Sequence, residues 1–184
     1  AGTAFAQTGA LEEIVVTANK RSETALEVGS SIAAFSGDSL ERRFILSPDD
    51  LAQVVPSLEL APSTHGTPVY TLRGVGYNSD AMAIYPAVSL SLDQAPMSFP
   101  ILAARTMYDL ERVEVLKGPQ GILFGQNSTG GAINYVAAKP GEEFEASVTL
   151  GYGRFNEIRA SGFVSGPVSE NFGARLAVDS RVRD

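Results

Sequence analysis

The chain has no cysteine among its 184 residues and a single histidine, His65. Without thiols there can be no disulfide framework and no cysteine nucleophile. One imidazole excludes a histidine-rich metal centre and leaves little room for a catalytic dyad. His65 itself sits in a Ser63-Thr64-His65-Gly66-Thr67-Pro68 loop, where it is expected to be solvated. Basic residues are scarce relative to acidic ones, 14 against 21, for a formal charge of −7. That balance argues against nucleic acid as a natural partner. Also missing is any apolar run near the roughly 18 residues a membrane helix needs. If this chain enters a bilayer, it must do so as strands of a barrel. No cofactor and no metal are expected.

What the chain does have is concentrated between Asp109 and Pro140. Leu110 to Lys117 alternate, so Leu110, Arg112, Glu114 and Leu116 should share one face, and Val113 and Val115 the other. Gly118-Pro119 ends that strand, Pro119 suits the first position of a short helical turn, and Gly125 suits the residue that stops it. A polar bend from Asn127 to Gly131 follows, and Ala132 to Val136 forms a second strand. The glycines between Gly118 and Gly131 are no phosphate cradle, because the lysine and Ser/Thr of a Walker loop and the G-x-G-x-x-G spacing are both absent. An enzyme is therefore disfavoured.

As it stands, the run DLERVEVLKGPQGILFGQNSTGGAINYVAAKP resembles the signature of the plug domain of TonB-dependent outer-membrane receptors. Two departures are visible. Gln126 replaces the usual arginine, so a salt bridge customary there should be missing, and Ala137-Ala138 replace a more polar pair. Tyr70 to Gly76 (YTLRGVG), Val88 to Pro96 (VSLSLDQAP) and Asp49 to Pro56 (DDLAQVVP) resemble further family segments, with Gln94 and Ser57 in place of glycines. The resemblance extends over nearly everything from Leu11 to Pro140. It implies structural turns at Gly74, Gly118, Pro119, Gly121, Gly125, Asn127, Gly130 and Gly131. It also makes Arg73, Arg112, Glu114 and Lys117 candidates for contacts between plug and barrel wall.

Along the chain, residues 1–6 end in Ala4-Phe5-Ala6, the small-x-small form of a secretory cleavage site, and are expected to be a signal-peptide remnant. Residues 7–20 are expected to be a flexible N-terminus carrying the run Glu12, Glu13, Ile14, Val15, Val16, Thr17 and Ala18. A segment of this kind either pairs its edge with another chain or forms the first strand of the following sheet. In the family, such a segment is the TonB box, which the C-terminal domain of TonB captures by strand addition. Residues 21–140 are expected to form an α+β plug, a small mixed sheet with short helices. One helix follows the N-cap Ser36, and a second starts at Ser47-Pro48 and is stopped by Pro56.

Past Pro140-Gly141 the periodicity becomes strict. Phe144, Ala146, Val148, Leu150 and Tyr152 alternate with Glu143, Glu145, Ser147 and Thr149, and the pattern recurs over 157–164 and 173–183. Segments of about ten residues, apolar on one side and charged on the other, suit transmembrane barrel strands. Residues 141–184 should thus be the first three antiparallel strands of a transmembrane β-barrel, with Gly166-Pro167 as the turn between the second and third. A plugged transporter barrel has about 22 strands, so the chain is expected to be an N-terminal fragment. The family implies active uptake of a scarce ligand across the bacterial outer membrane, with the plug in the barrel lumen and the box facing the periplasm. An iron-siderophore complex is the first expectation, a carbohydrate or vitamin the alternative, and a soluble α+β binding module the rival from another class. Tyr77, Tyr85, Met97 and Phe99, on strand connections, are the candidate ligand contacts.

Overall fold

The computed structural model describes residues 15–17, 23–24, 31–62, 68–76, 86–97, 107–125 and 127–183. It contains a five-stranded mixed sheet, a separate three-stranded sheet and two small two-stranded ones. The first of the small ones pairs β1 (Val15–Val16) with β2 (Glu23–Thr24).

Strand β3 (Ser31–Ser36) leads directly into α1 (Gly37–Arg42). Ser36 occupies the N-cap, yet its hydroxyl makes no capping bond, so the cap is positional only. Helix α2 (Pro48–Val54) is capped as the residue order suggests. The Ser47 side chain accepts from Asp50 N–H, and the Asp50 carboxylate accepts from the Ser47 hydroxyl (2.7 Å) and Leu46 N–H (3.1 Å). Both of its early carboxylates also suit the positive end of the helix dipole.

Strands β4 (Leu58–Pro62) and β5 (Pro68–Leu72) form a hairpin of their own instead of joining the main sheet. The hairpin contributes Leu58, Tyr70 and Leu72 to the main core cluster, so it lies against the sheet rather than lengthening it. The main sheet runs β3, β8 (Leu110–Lys117), β9 (Gly131–Ala137), β6 (Val88–Leu92), β7 (Ala95–Pro96). β6 and β9 are parallel, and the other pairs are antiparallel. One face carries Val113, Val115, Ile133, Tyr135, Val88 and Leu90, which pack with Leu40 and Leu51 of the helices. Leu110 packs on this face too, contrary to the alternation expected of it. The register slips between Leu110 and Arg112, and an extra residue at such a bulge inverts the faces on either side of it.

Beyond the plug, β10 (Glu145–Tyr152), β11 (Ile158–Ser169) and β12 (Phe172–Val182) form a consecutive antiparallel sheet. Its outer face exposes Val148, Leu150, Tyr152, Ile158, Val164, Leu176, Val178 and Val182. The opposite face carries Ser147, Thr149, Arg159, Ser161 and Phe163, which line a small cavity together with Tyr108 and Asp109 of the plug. The β11–β12 connection is not Gly166-Pro167: the strand continues to Ser169, which pairs with Phe172. A register shift between Pro167 and Ser169 lets the proline pass, and the tight turn falls at Glu170-Asn171. No described helix is long and apolar enough to cross a membrane.

Candidate functional site: strand latch, glycine turn and wall contact

The second face of the main sheet holds residues that the sequence left as candidates for meeting the barrel wall. Arg112 and Glu114 are both buried, Glu114 completely. The N-terminal strand reaches Glu114. The Glu114 carboxylate accepts from Thr17 N–H at 2.8 Å, from the Thr17 hydroxyl at 3.1 Å and from Arg112 Nε at 2.7 Å. Asn134 Nδ2 donates to the second carboxylate oxygen at 3.3 Å, and its Oδ1 accepts from Ser91 Oγ at 2.9 Å and from Gln94 N–H at 3.1 Å. Arg112 also pairs with Glu111. Beside this network, Val16 packs with Leu116 and Ala132 in a second apolar cluster. A buried carboxylate is tolerated only when its lone pairs are filled, and here they are. Alternation in β8 correctly placed Arg112, Glu114 and Leu116 on one face, but Thr17 and Asn134 gave no sign of being their partners.

The glycine turn is built as its residue types require. Gly118 N–H donates to Gly130 O, Gly130 N–H to Ala87 O and Gln120 N–H to Ser128 O. The buried Ser128 hydroxyl reaches Gly125 O at 2.7 Å. Gly131 has φ +149, and a β-carbon there would lie 2.3 Å from Leu116 O and 2.5 Å from Leu72 Cδ2, so only glycine fits. Gly125 has φ 87 with ψ −174, an extended mirror-image conformation confined in practice to glycine. Gly74 (φ 75) and Gly118 (φ 106) share the positive-φ requirement. Gly121 does not, and it opens α3 (Gly121–Phe124), two residues after Pro119. Asn127 lies in the turn, half-buried, and Gln126 lies outside the described residues.

Arg73 and Lys117 come together on the exposed rim beside Gly118, with Arg73 Nη1 directed at Lys117 O at 3.5 Å. The contact between plug and wall that the described residues do make is one the sequence reading missed. Arg175 of β12 grips Asp109 with two nitrogens, Nε to Oδ2 at 2.8 Å and Nη2 to Oδ1 at 2.5 Å, and lies over the Phe163 ring at 3.8 Å. The Asp109 carbonyl meanwhile accepts from Ala138 N–H.

Met97 packs against the main core and donates its N–H to Leu90 O. Tyr77, Tyr85, Phe99 and His65 lie outside the described residues, as do Glu12, Glu13, Ile14 and Ala18 of the box. Among the described residues no cluster of His, Cys, Asp or Glu could hold a metal ion. Tyr70 and Tyr135 bury their hydroxyls in the core. Burial pushes both phenols up, Tyr135 well above the ordinary value, so neither offers an acid or base near neutrality.

Comparison with known proteins agrees with this geometry. The model of a family described as the TonB-dependent Receptor Plug Domain matches residues 24–132. The pesticin receptor of Yersinia pestis is 34% identical over 177 residues, covering 91% of this chain and 25% of the relative. The ferripyoverdine receptor of Pseudomonas aeruginosa is 28% identical over 164 residues, covering 88% of this chain and 19% of the relative. Among solved structures, the ferric yersiniabactin uptake receptor of Yersinia pestis superposes with a TM-score of 0.70 at 29% identity, over 80% of this chain and 24% of that one. The chain thus spans about a quarter of the length of relatives such as the pesticin receptor. With the plug signature, the glycine turn and the family match in agreement, this chain belongs to the TonB-dependent receptors, as their plug domain followed by strands of the barrel wall.

Proposed function

We propose that this chain is the plug and first wall strands of an outer-membrane transporter that takes up an iron-siderophore complex, driven from the periplasm by TonB. The observation that carries the reading is the combination of an N-terminal β-strand on the plug with relatives named for ferric siderophores. The plug occupies the lumen and the wall sheet turns its apolar face to lipid. The box, Glu12 to Ala18, faces the periplasm and is the handle. TonB adds a strand to it, so backbone hydrogen bonds supply the grip and the alternate side chains the selectivity. Energy arrives as force, so neither a nucleotide nor a metal cofactor is required. Arg73 and Lys117 on the exposed rim would face acidic groups of the wall, while Asp109 and Arg175 hold the opposite end of β8 to β12.

The test is Val15→Pro in the full-length receptor, which removes one backbone donor from the handle. Uptake of a radiolabelled ferric siderophore should fall to the level of a strain lacking TonB, with ligand binding to cells unchanged. Uptake at the parental rate would refute the coupling role. A vitamin is the second reading, favoured by 29% identity over 145 residues to the vitamin B12 transporter of Vibrio vulnificus. Uptake of cobalamin rather than iron by the same cells would select it.

A further inference from the structure

The three-stranded sheet carries opposite charge at its two ends. Where the chain enters it, Glu142, Glu143 and Glu145 lead into β10, and Glu170 in the β11–β12 turn shares a cleft with Lys139. At the other end, the β10–β11 turn brings Arg154 and Glu157 beside Arg181 and Arg183. Glu157 is already engaged, since Arg181 Nη2 donates to its carboxylate at 2.9 Å. Arg154 and Arg183 form no ion pair among the described residues. What each has is the ring of Phe155, whose centroid lies 5.0 and 4.9 Å from the two guanidinium carbons. An exposed ring face attracts a cation, but two cations at one ring also repel each other. An anion between them would convert that repulsion into two charge-assisted contacts.

The kind of anion follows from the position of the pair. Tyr152, Ile158 and Val182 stand in one row across the sheet, all on its exposed apolar face. They are the last apolar row before the turn, and the Tyr152 hydroxyl bonds to Asn156 within it at 3.0 Å. Phe144 and Phe172 close the same face at its other end, both exposed. An apolar band bracketed by aromatic residues is what a bilayer-spanning strand presents, with headgroups at the level of the brackets. Arg154 and Arg183 lie just past that level, so the anion that meets them there is attached to a lipid. A soluble anion could meet the same two charges, but it would leave the ring of Phe155, 57% exposed, in water. Arginine forks also match phosphate oxygens better than a point charge does.

We propose that Arg154, Arg183 and Phe155 bind the phosphate of a lipid headgroup, anchoring that end of the wall in the bilayer leaflet that meets it. The glutamates at the opposite end repel such lipids, so the two ends together fix which leaflet each prefers. The proposal takes the bilayer from the outer-membrane reading above, and the unpaired cations from this sheet alone.

The test reconstitutes the full-length receptor in phosphatidylcholine vesicles with a minor share of phosphatidic acid, whose headgroup is a phosphate monoester. Native mass spectrometry then counts the phosphatidic acid that leaves with the protein. Arg154→Gln with Arg183→Gln should weaken retention about thirty-fold, roughly five-fold per arginine. Both side chains are exposed, so the fold is not at risk. Phe155→Leu should weaken it by a smaller factor, because the charges stay while the ring that gathers them goes. Glu142→Gln with Glu170→Gln should not reduce retention. Undiminished retention in the double arginine variant overturns the site. So does displacement of the lipid by excess inorganic phosphate, which would assign the pair to a soluble anion. A receptor that does not insert into vesicles overturns the membrane reading and the proposal with it. One that inserts and retains the lipid, yet takes up no ferric siderophore in cells, leaves the site standing and overturns only the uptake reading.

Discussion

The plug sheet is mixed and the wall sheet wholly antiparallel, and they treat their two faces in opposite ways. In β8 the residues alternate between an apolar core and a buried polar network, so Val113, Glu114, Val115 and Leu116 are all out of water. In β10 every residue is exposed in this chain, and the alternation separates Val148 and Leu150 from Ser147 and Thr149. Hydropathy therefore means different things in the two sheets. In the three-stranded sheet it separates an apolar face from a polar one, as transmembrane barrel strands require. In β8 and β9 burial is nearly total on both sides, and Glu114 and Asn134 are accommodated there because each has hydrogen-bond partners.

The strongest way to break this comparison is to charge both faces of β8. Val115→Asp and Leu116→Asp point in opposite directions, and each should destabilise the plug by about 4 kcal/mol or more, because an unpaired carboxylate would be buried. Protease protection of the plug in the full-length receptor measures it. If Leu116→Asp is tolerated while Val115→Asp is not, the second face is open to water and the N-terminal strand does not seal it.

The wall sheet should answer the same experiment asymmetrically. Val148→Arg places a cation at the middle of the outer face and should cost about 2–4 kcal/mol on folding into a bilayer. Thr149→Arg, one residue along, should cost less because its side chain lies on the opposite, polar face, beside Tyr108 and Asp109. The comparison is made by urea titration of the full-length receptor in vesicles. Equal losses at the two positions would mean that the face exposed in this chain is not the one that meets lipid.

How much of this was legible follows from the same contrast. The wall was read almost completely, because period-two alternation survives wherever one face meets another medium. Its one error, the turn placed at Gly166-Pro167, arose because glycine and proline mark bulges as well as turns. In the plug, local signals worked where the cause was local: Ser47 caps α2, and Gly118, Gly125 and Gly131 take positive φ. The reading stopped where the cause was tertiary. Nothing adjacent to Glu114 announces Thr17, and nothing near Asp109 announces Arg175, since each pair is joined only by the folded topology. The bulge that moves Leu110 to the core face was equally silent.

The finest test concerns a turn where the chain departs from glycine and keeps the glycine conformation, as it also does at Ser57 (φ 71). Asp93 and Gln94 join β6 to β7 with φ of 48° and 66°. Three bonds hold them there: Asp93 N–H to Tyr135 O at 2.8 Å, Ala137 N–H to the Asp93 carboxylate at 3.0 Å, and Gln94 N–H to Asn134 Oδ1 at 3.1 Å. The first and last are backbone donations that glycine would keep, whereas the second needs the aspartate side chain. Gln94→Gly should therefore relieve about 1 kcal/mol of left-handed strain. The greater freedom of glycine in the unfolded chain should offset about half of that gain. Asp93→Gly should lose stability despite the same relief, because Ala137 N–H loses its acceptor. If Gln94→Gly also destabilises the plug in urea unfolding, the glutamine side chain holds the turn through a contact of its own, and the backbone account of this hairpin is wrong.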